Sequence, residues 1–236
     1  MKKIICLLSA VTLLFSGIFW VGKSTQETIS EITSHSVLQL KNTVILDAGH
    51  GGEDGGAVAA DGTMEKDLNL AISNAIAGYF ELFGIPYIPV RTTDISVCDE
   101  GLTSIKERKR SDILNRYALV NDTPDAVLLS IHQNMFSEPK YYGTQVFYAG
   151  GDPTSENLAS TIREAVLTGL QPENTRAIKP STDSIYLLYH AKTTSVLVEC
   201  GFLSNENELQ KLKDEAYESQ ISYFIFKGML QYLTTQ

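Results

Sequence analysis

The amino-acid sequence predicts a single α/β domain built on a twisted, mostly parallel sheet of about six strands flanked by helices. From Asn42 onward, short β-branched or apolar runs alternate with amphipathic stretches of helical length. The apolar runs are nearly continuous, as parallel strands covered on both faces require. At 236 residues, 43% of them apolar, the chain can bury one sizeable core, and no internal repeat or linker divides it.

The elements follow in order. Lys2 and Lys3 precede an apolar run from Ile4 to Val21. Signal-peptide cores span roughly 7 to 15 residues and membrane-crossing helices about 20, so residues 1–24 read as a signal peptide or an N-terminal membrane anchor. The paired lysines hold the N-terminus in the cytoplasm and send the rest outward, so the chain is expected to be exported. Trp20-Val21-Gly22-Lys23-Ser24 is a poor cleavage site, and membrane attachment through an uncleaved segment stays open. Residues 25–42, polar and rich in Ser and Thr, read as a spacer in which His35 is a solvated bystander.

The remaining stretch, 43–236, is the expected domain. Its strand candidates are Thr43–Asp47, Pro86–Arg91, Ala126–Ile131, Thr144–Tyr148 and Ser195–Glu199. Helical periodicity covers Glu65–Leu82, Ile105–Val120, Ser155–Leu170 and Ala216–Leu233, and Gly84-Ile85-Pro86 stops the first of these. The Gly-rich loop AGHGGEDGGAVAADG between the first strand and the first helix lacks both G-x-G-x-x-G and a G-K-[ST] ending, so a nucleotide site is poorly supported.

The net charge is −9, and no basic stripe with interleaved aromatics occurs, which excludes nucleic acid as the expected partner. Lys106-Glu107-Arg108-Lys109-Arg110 reads as a solvated helix face. Cys6 lies in the export segment, Cys98 in a loop and Cys200 in an apolar strand; two free thiols and no disulfide framework are expected.

Four residues carry the chemistry. His50 follows the strand TVILD and His132 follows AVLLSI, both at the carboxyl ends of strands, where open α/β sheets collect their functional groups. Glu65 opens the helix returning from the His50 loop. Alone it would read as a first-turn acid facing the helix dipole; beside two histidines it completes a three-ligand set for one Zn2+ with a position left for water or substrate. Glu199 ends an apolar strand, where a carboxylate is costly to bury without a partner or a task, and it suits a general base beside an activated water. The same two-histidine, one-carboxylate set also serves non-haem iron oxygenases, but Glu199 would then have no task. A catalytically silent binding module would require a damaged ligand set or a missing base.

At LDAGHGGEDGGA, MEKDLNLAI, SIHQN and LVECGFLSNENE, and at Arg91 with Asp94, the chain resembles the zinc-dependent N-acetylmuramoyl-L-alanine amidases of the amidase_3 family, from about Thr43 to the C-terminus. The resemblance implies cleavage of the bond between the lactyl group of N-acetylmuramic acid and the L-alanine of the peptidoglycan stem peptide. It implies a mixed sheet, with His50, Glu65 and His132 as zinc ligands, Glu199 as acid/base and Asn134 as a substrate contact. NTRAIKPSTDSIYLL looks most like the germination-specific, spore-cortex members, whose activity prepares muramic lactam; a general wall or septum amidase would keep the same catalytic set. Departures from the family pattern are Ala48, Gln133, Tyr189 and Thr194, and His190 has no evident role. Residues 150–184 leave little room for a segment that blocks the metal, so no internal blockade is expected, while an activating protein partner remains open.

Overall fold

The computed structural model describes residues 40–235. The expected leader and the spacer up to residue 39, with Cys6 and His35, lie outside the described residues. Leu40 packs against the main core, and the Lys41 ammonium and Asn42 amide both reach Asp125.

Twelve elements make up the described domain: β1 (Thr43–Ala48), α1 (Glu65–Phe83), β2 (Tyr87–Pro89), α2 (Ile105–Asp122), β3 (Ala126–Asn134), β4 (Gln145–Tyr148), α3 (Pro153–Gly169), β5 (Lys179–Pro180), α4 (Tyr186–His190), β6 (Thr194–Phe202), α5 (Glu206–Leu212) and α6 (Glu215–Thr234). The six strands form one sheet in the order β2-β1-β3-β6-β4-β5. Its pairs are parallel except β4 with β6, so the sheet is mixed.

Helices cover both faces. Leu68, Ile72, Ile76 and Phe80 of α1 recur at helical spacing and bury against Leu46, Leu129, Ile131 and Val198, with α3 and α6 completing that layer. On the other face α2 and the short α4 pack on Ile45, Leu128 and Leu197. Because side chains alternate along a strand, Asp47, Ser130, His132 and Glu199 project on this second, more thinly covered face, at the carboxyl end of the parallel strands.

The differences from the expected elements are local. β3 and β6 run on to Asn134 and Phe202, so His132 lies inside a strand rather than after it, Glu199 lies inside one rather than at its end, and His132 pairs with Glu199 in register. The second strand contracts to three residues at the sheet edge, where Pro89 is tolerated because Val90 N–H, the next residue, still donates to Leu46 O at 2.9 Å. β5, α4 and α5 are additional elements of two, five and seven residues, too short to show a period. Cys98 and Cys200 are both free, and burial pushes the Cys200 thiol well above its ordinary pKa.

Ile72 is fully buried where α1 meets the sheet. Ile72→Ala is expected to cost roughly 2 to 5 kcal/mol and to lower the thermal midpoint by several degrees. Metal uptake at neutral pH should be unchanged, as followed by calorimetry and metal analysis of the folded protein.

Candidate metal centre

The Gly-rich loop after β1 holds His50 in a left-handed backbone conformation, φ 62°, uncommon for any residue with a side chain. Two buried arginines hold it there. Arg91 donates to the carbonyl oxygens of Ala48 (2.8 Å) and Gly49 (3.0 Å). Arg116 donates to those of Ala48 (3.1 Å) and His50 (2.7 Å). Arg116 is itself paired with Asp47 and with Asp112, and Asp47 also accepts from Ser130 Oγ at 2.6 Å. Burial works against the Asp47 carboxylate, but Arg116 and Ser130 outweigh it and keep its pKa below the usual range. Asp94 completes the clamp, accepting from Gly52 N–H (2.8 Å) and Lys66 Nζ (2.6 Å). The Arg91-x-x-Asp94 spacing therefore serves to fix the loop.

Glu65 is the first residue of α1. The loop occupies the start of the helix, with Glu65 N–H donating to Ala57 O at 2.9 Å and Lys66 N–H to Gly55 O at 3.2 Å. Its carboxylate accepts from the backbone N–H of Ala57 (2.8 Å) and Gln133 (3.1 Å) and from Asn69 Nδ2 (3.3 Å). Glu65 Oε2 lies 3.2 Å from His50 Nε2, and Oε1 lies 2.9 Å from His132 Nδ1. One donor atom from each of His50, Glu65 and His132 falls within 4.8 Å of the other two. Ligands that each sit about 2.0 to 2.2 Å from one ion must lie within about 4.4 Å of each other, so these residues fit a single divalent cation after small adjustments.

The loop glycines clear the space. A Cβ on Gly49 would stand 2.2 Å from His132 Nε2, and one on Gly56 would stand 2.6 Å from Glu65 Oε2 and 2.7 Å from His50 Cδ2. Behind the ligands, Asp54 Oδ2 lies 3.0 Å from His50 Nδ1, leaving Nε2 turned toward Glu65. Lys109 Nζ in turn lies 2.7 Å from Asp54 Oδ1, and Arg108 pairs with Glu53. The basic run of α2 is therefore not simply a solvated face, because two of its cations anchor the ligand loop. Burial opposes a charged His50, but the Asp54 and Glu65 carboxylates outweigh it and raise its pKa to about 9. Burial likewise opposes the Glu65 charge, and the two imidazoles overcome it and hold the carboxyl well below its ordinary range.

Glu199 contrasts with Glu65. It lines a cavity of about 350 Å³ together with His50 and His132, yet its buried Oε2 has no hydrogen-bond partner among the described residues. Burial raises its pKa to about 7; the nearby histidines pull the other way and Glu65 adds to the rise. Two carboxylates face one site with opposite proton affinities.

Three of the four residues singled out from the sequence, His50, His132 and Glu199, thus line one cavity, and the fourth, Glu65, is buried against both histidines. Asn134 stands half-buried at the end of β3, where its carbonyl accepts from Leu203 N–H at 2.8 Å, and it is not part of that cavity's wall. His190 ends α4, exposed and against the Tyr186 ring at 4.4 Å. Gln133, one of the departures, donates from Nε2 to Asn69 Oδ1 at 3.2 Å and so belongs to the layer behind Glu65. Sequence reasoning missed Asp54, Asn69, Lys109 and Arg116. Only Arg116 left a trace, the Asp112–Arg116 spacing of four on one helix.

Gly49→Ala is expected to weaken metal binding at least tenfold while the far-ultraviolet dichroism stays native, because the added methyl and the His132 ring cannot occupy the same volume. In chelator-treated protein, the Glu199 proton is held more tightly folded than unfolded between about pH 4.5 and about pH 7. Stability is therefore predicted to fall as pH rises through that window. A denaturant series should show a flatter dependence there for Glu199→Gln. The depressed carboxyls of Glu65 and Asp47 act oppositely, contributing stability at neutral pH that is lost in acid.

The profile of the N-acetylmuramoyl-L-alanine amidase family, Amidase_3, matches residues 44–231. A germination-specific N-acetylmuramoyl-L-alanine amidase of Bacillus subtilis (strain 168) is 34% identical over 191 residues, covering 81% of this chain and 79% of that protein. Among solved structures, the CwlD amidase of Clostridioides difficile in complex with the GerS lipoprotein superposes with a TM-score of 0.79 at 39% identity, over 82% of this chain and 99% of that one. An N-acetylmuramoyl-L-alanine amidase of Clostridium difficile 630 gives 0.71 at 28% identity, over 83% and 98%. The chain belongs to the Amidase_3 family of N-acetylmuramoyl-L-alanine amidases, enzymes that cut the amide bond joining N-acetylmuramic acid to the stem peptide of peptidoglycan.

Proposed function

We propose that the domain hydrolyses this bond with one zinc ion held by His50, Glu65 and His132 and with Glu199 as the acid/base. The observation that carries the reading is the close approach of the three donor groups beside a buried carboxylate oxygen with no partner of its own. Zinc bound there supplies Lewis-acid polarisation of the amide carbonyl and acidification of the attacking water.

The chain's residues do the rest. Asp54 at Nδ1 directs the His50 ring, and Asn69 with the Ala57 and Gln133 N–H groups holds Glu65 to one orientation. Glu199, with a pKa near neutrality and a free oxygen, takes a proton from the water and delivers it to the nitrogen of the departing L-alanine. A strongly ionised carboxylate such as Glu65 could accept metal but would be a poor proton donor afterwards. Asn134, two residues beyond His132, is assigned a substrate contact.

Similarity to the germination-specific enzyme of Bacillus subtilis and to the CwlD amidase supports a role in spore-cortex maturation, on the outer side of the membrane, ahead of muramic lactam formation. The CwlD amidase was solved with the GerS lipoprotein, which supports an activating protein partner for this chain as well. No helix among the described residues is long and apolar enough to cross a membrane, so attachment would rest on residues 1–24.

Mass spectrometry of purified peptidoglycan treated with the zinc-loaded protein is expected to show free stem peptides beginning with L-alanine. Glycan fragments with intact peptides, or oxygen consumption with iron, would overturn the assignment. Glu199→Gln should lower kcat/KM by roughly 10² to 10⁴ while zinc content stays at wild-type level, and a chelator should abolish cleavage reversibly. Activity retained in Glu199→Gln would refute the acid/base assignment.

A further inference from the structure

The segment NTRAIKPSTDSIYLL, residues 174–188, joins two cavities. Its later residues, Ser184 to Leu187, wall the metal cavity, while Arg176, Ala177 and Lys179 wall a second cavity of about 350 Å³. Gln145 also lines the second cavity, and its Cα is the register partner of Glu199 across the antiparallel β4–β6 pair. Directly opposed residues of such a pair share a face, with Cα atoms about 4.5 to 5.5 Å apart. The second cavity therefore opens one strand away from the acid/base, on the same face of the sheet.

Its chemistry is unlike the rest of this acidic chain. Lys140, Arg176 and Lys179 line it, and no Asp or Glu does. The Arg176 guanidinium is fixed in place: Nε donates to Tyr142 O at 2.7 Å, and the group stacks 4.3 Å from the centre of the Phe202 ring. That leaves its two terminal nitrogens without a hydrogen bond among the described residues, and Lys179 makes no ion pair there; Lys140 is paired with exposed Glu138. Gln145 is 2% exposed and donates from Nε2 to Ala177 O, but its Oε1 is buried without a partner. An unpaired buried acceptor is costly, and a ligand N–H would relieve that cost.

The scissile bond has two unlike sides. On the sugar side the lactyl carboxyl is consumed in the amide itself. On the other side is a peptide, with N–H groups and at least a terminal carboxylate. One fixed guanidinium and two lysines beside an unpaired amide oxygen match the peptide side.

We propose that this cavity is the subsite for the peptide portion of the substrate, where Lys140, Arg176 and Lys179 pair with carboxylates and Gln145 Oε1 accepts a peptide N–H. The assignment rests on the amidase reading above. It makes residues 174–180 a determinant of substrate choice, coupled to the metal cavity through the chain that runs on to Leu187.

The test compares two synthetic muramyl peptides that differ only in whether their carboxylates are free or amidated. Binding to the purified Glu199→Gln protein is followed by calorimetry at low and high salt. The free acid should bind roughly tenfold more tightly than the amide, with the preference shrinking in salt. The preference should fall severalfold when Lys140→Gln and Lys179→Gln are added, with Arg176 left as the one remaining cation of the cavity wall; both lysines are exposed, so the fold should persist. Equal affinities, or a preference undiminished by loss of both lysines, would overturn the subsite. The amidase reading is judged separately, by whether the wild-type protein releases peptide from either compound.

Discussion

The centre depends on a constraint applied to backbone rather than to side chains. Arg91 and Arg116 take the carbonyl oxygens of Ala48, Gly49 and His50, three consecutive groups that would otherwise face a cleft. Backbone oxygens at a strand end have no ladder to satisfy them, and leaving them unpaired in a buried place is costly. Two planar guanidinium groups satisfy them together and at the same time determine where His50 points. The charge this brings indoors is balanced by Asp47 and Asp112, since a buried guanidinium is tolerable only when paired and fully hydrogen-bonded.

From that clamp follows the division of labour between the carboxylates. Glu65 sits at the start of a helix, receives three hydrogen bonds from nitrogen donors and faces two imidazoles, all of which favour its charged form. Glu199 emerges from the middle of a buried strand, receives none at Oε2, and is raised toward neutrality by burial. The same functional group is thus held charged in one place and brought near neutrality in the other. Strand pairing brings them together, because His132 and Glu199 are opposed in register and Gln133 N–H, the next residue of the same strand, binds Glu65.

Much of this was legible because the decisive patterns are local. TVILD, AVLLSI and SVLVE announce buried strands, and a histidine or glutamate at their carboxyl ends has few places to go in an open α/β sheet. The start of α1 was equally plain, which placed Glu65 correctly. The supporting layer was not legible, since its partners are distant in sequence. In the sequence Arg116 is one polar residue among many on α2, yet it is 3% exposed and reaches a loop 66 residues earlier. Lys109 was read as solvated for the same reason, and its contact with Asp54 exists only once α2 packs beside the loop. β5 and α4 are too short to carry a period, although the segment containing them connects the two cavities.

The central claim is that one ion is shared by three side chains arranged by this clamp. Anomalous X-ray diffraction at the zinc edge, from crystals of the zinc-loaded protein, tests it directly. The account predicts one strong peak about 2.0 to 2.2 Å from a nitrogen of His50, a nitrogen of His132 and an oxygen of Glu65, with Glu199 beyond bonding distance. A peak elsewhere, or one that takes Glu199 as a ligand in place of Glu65, would contradict it.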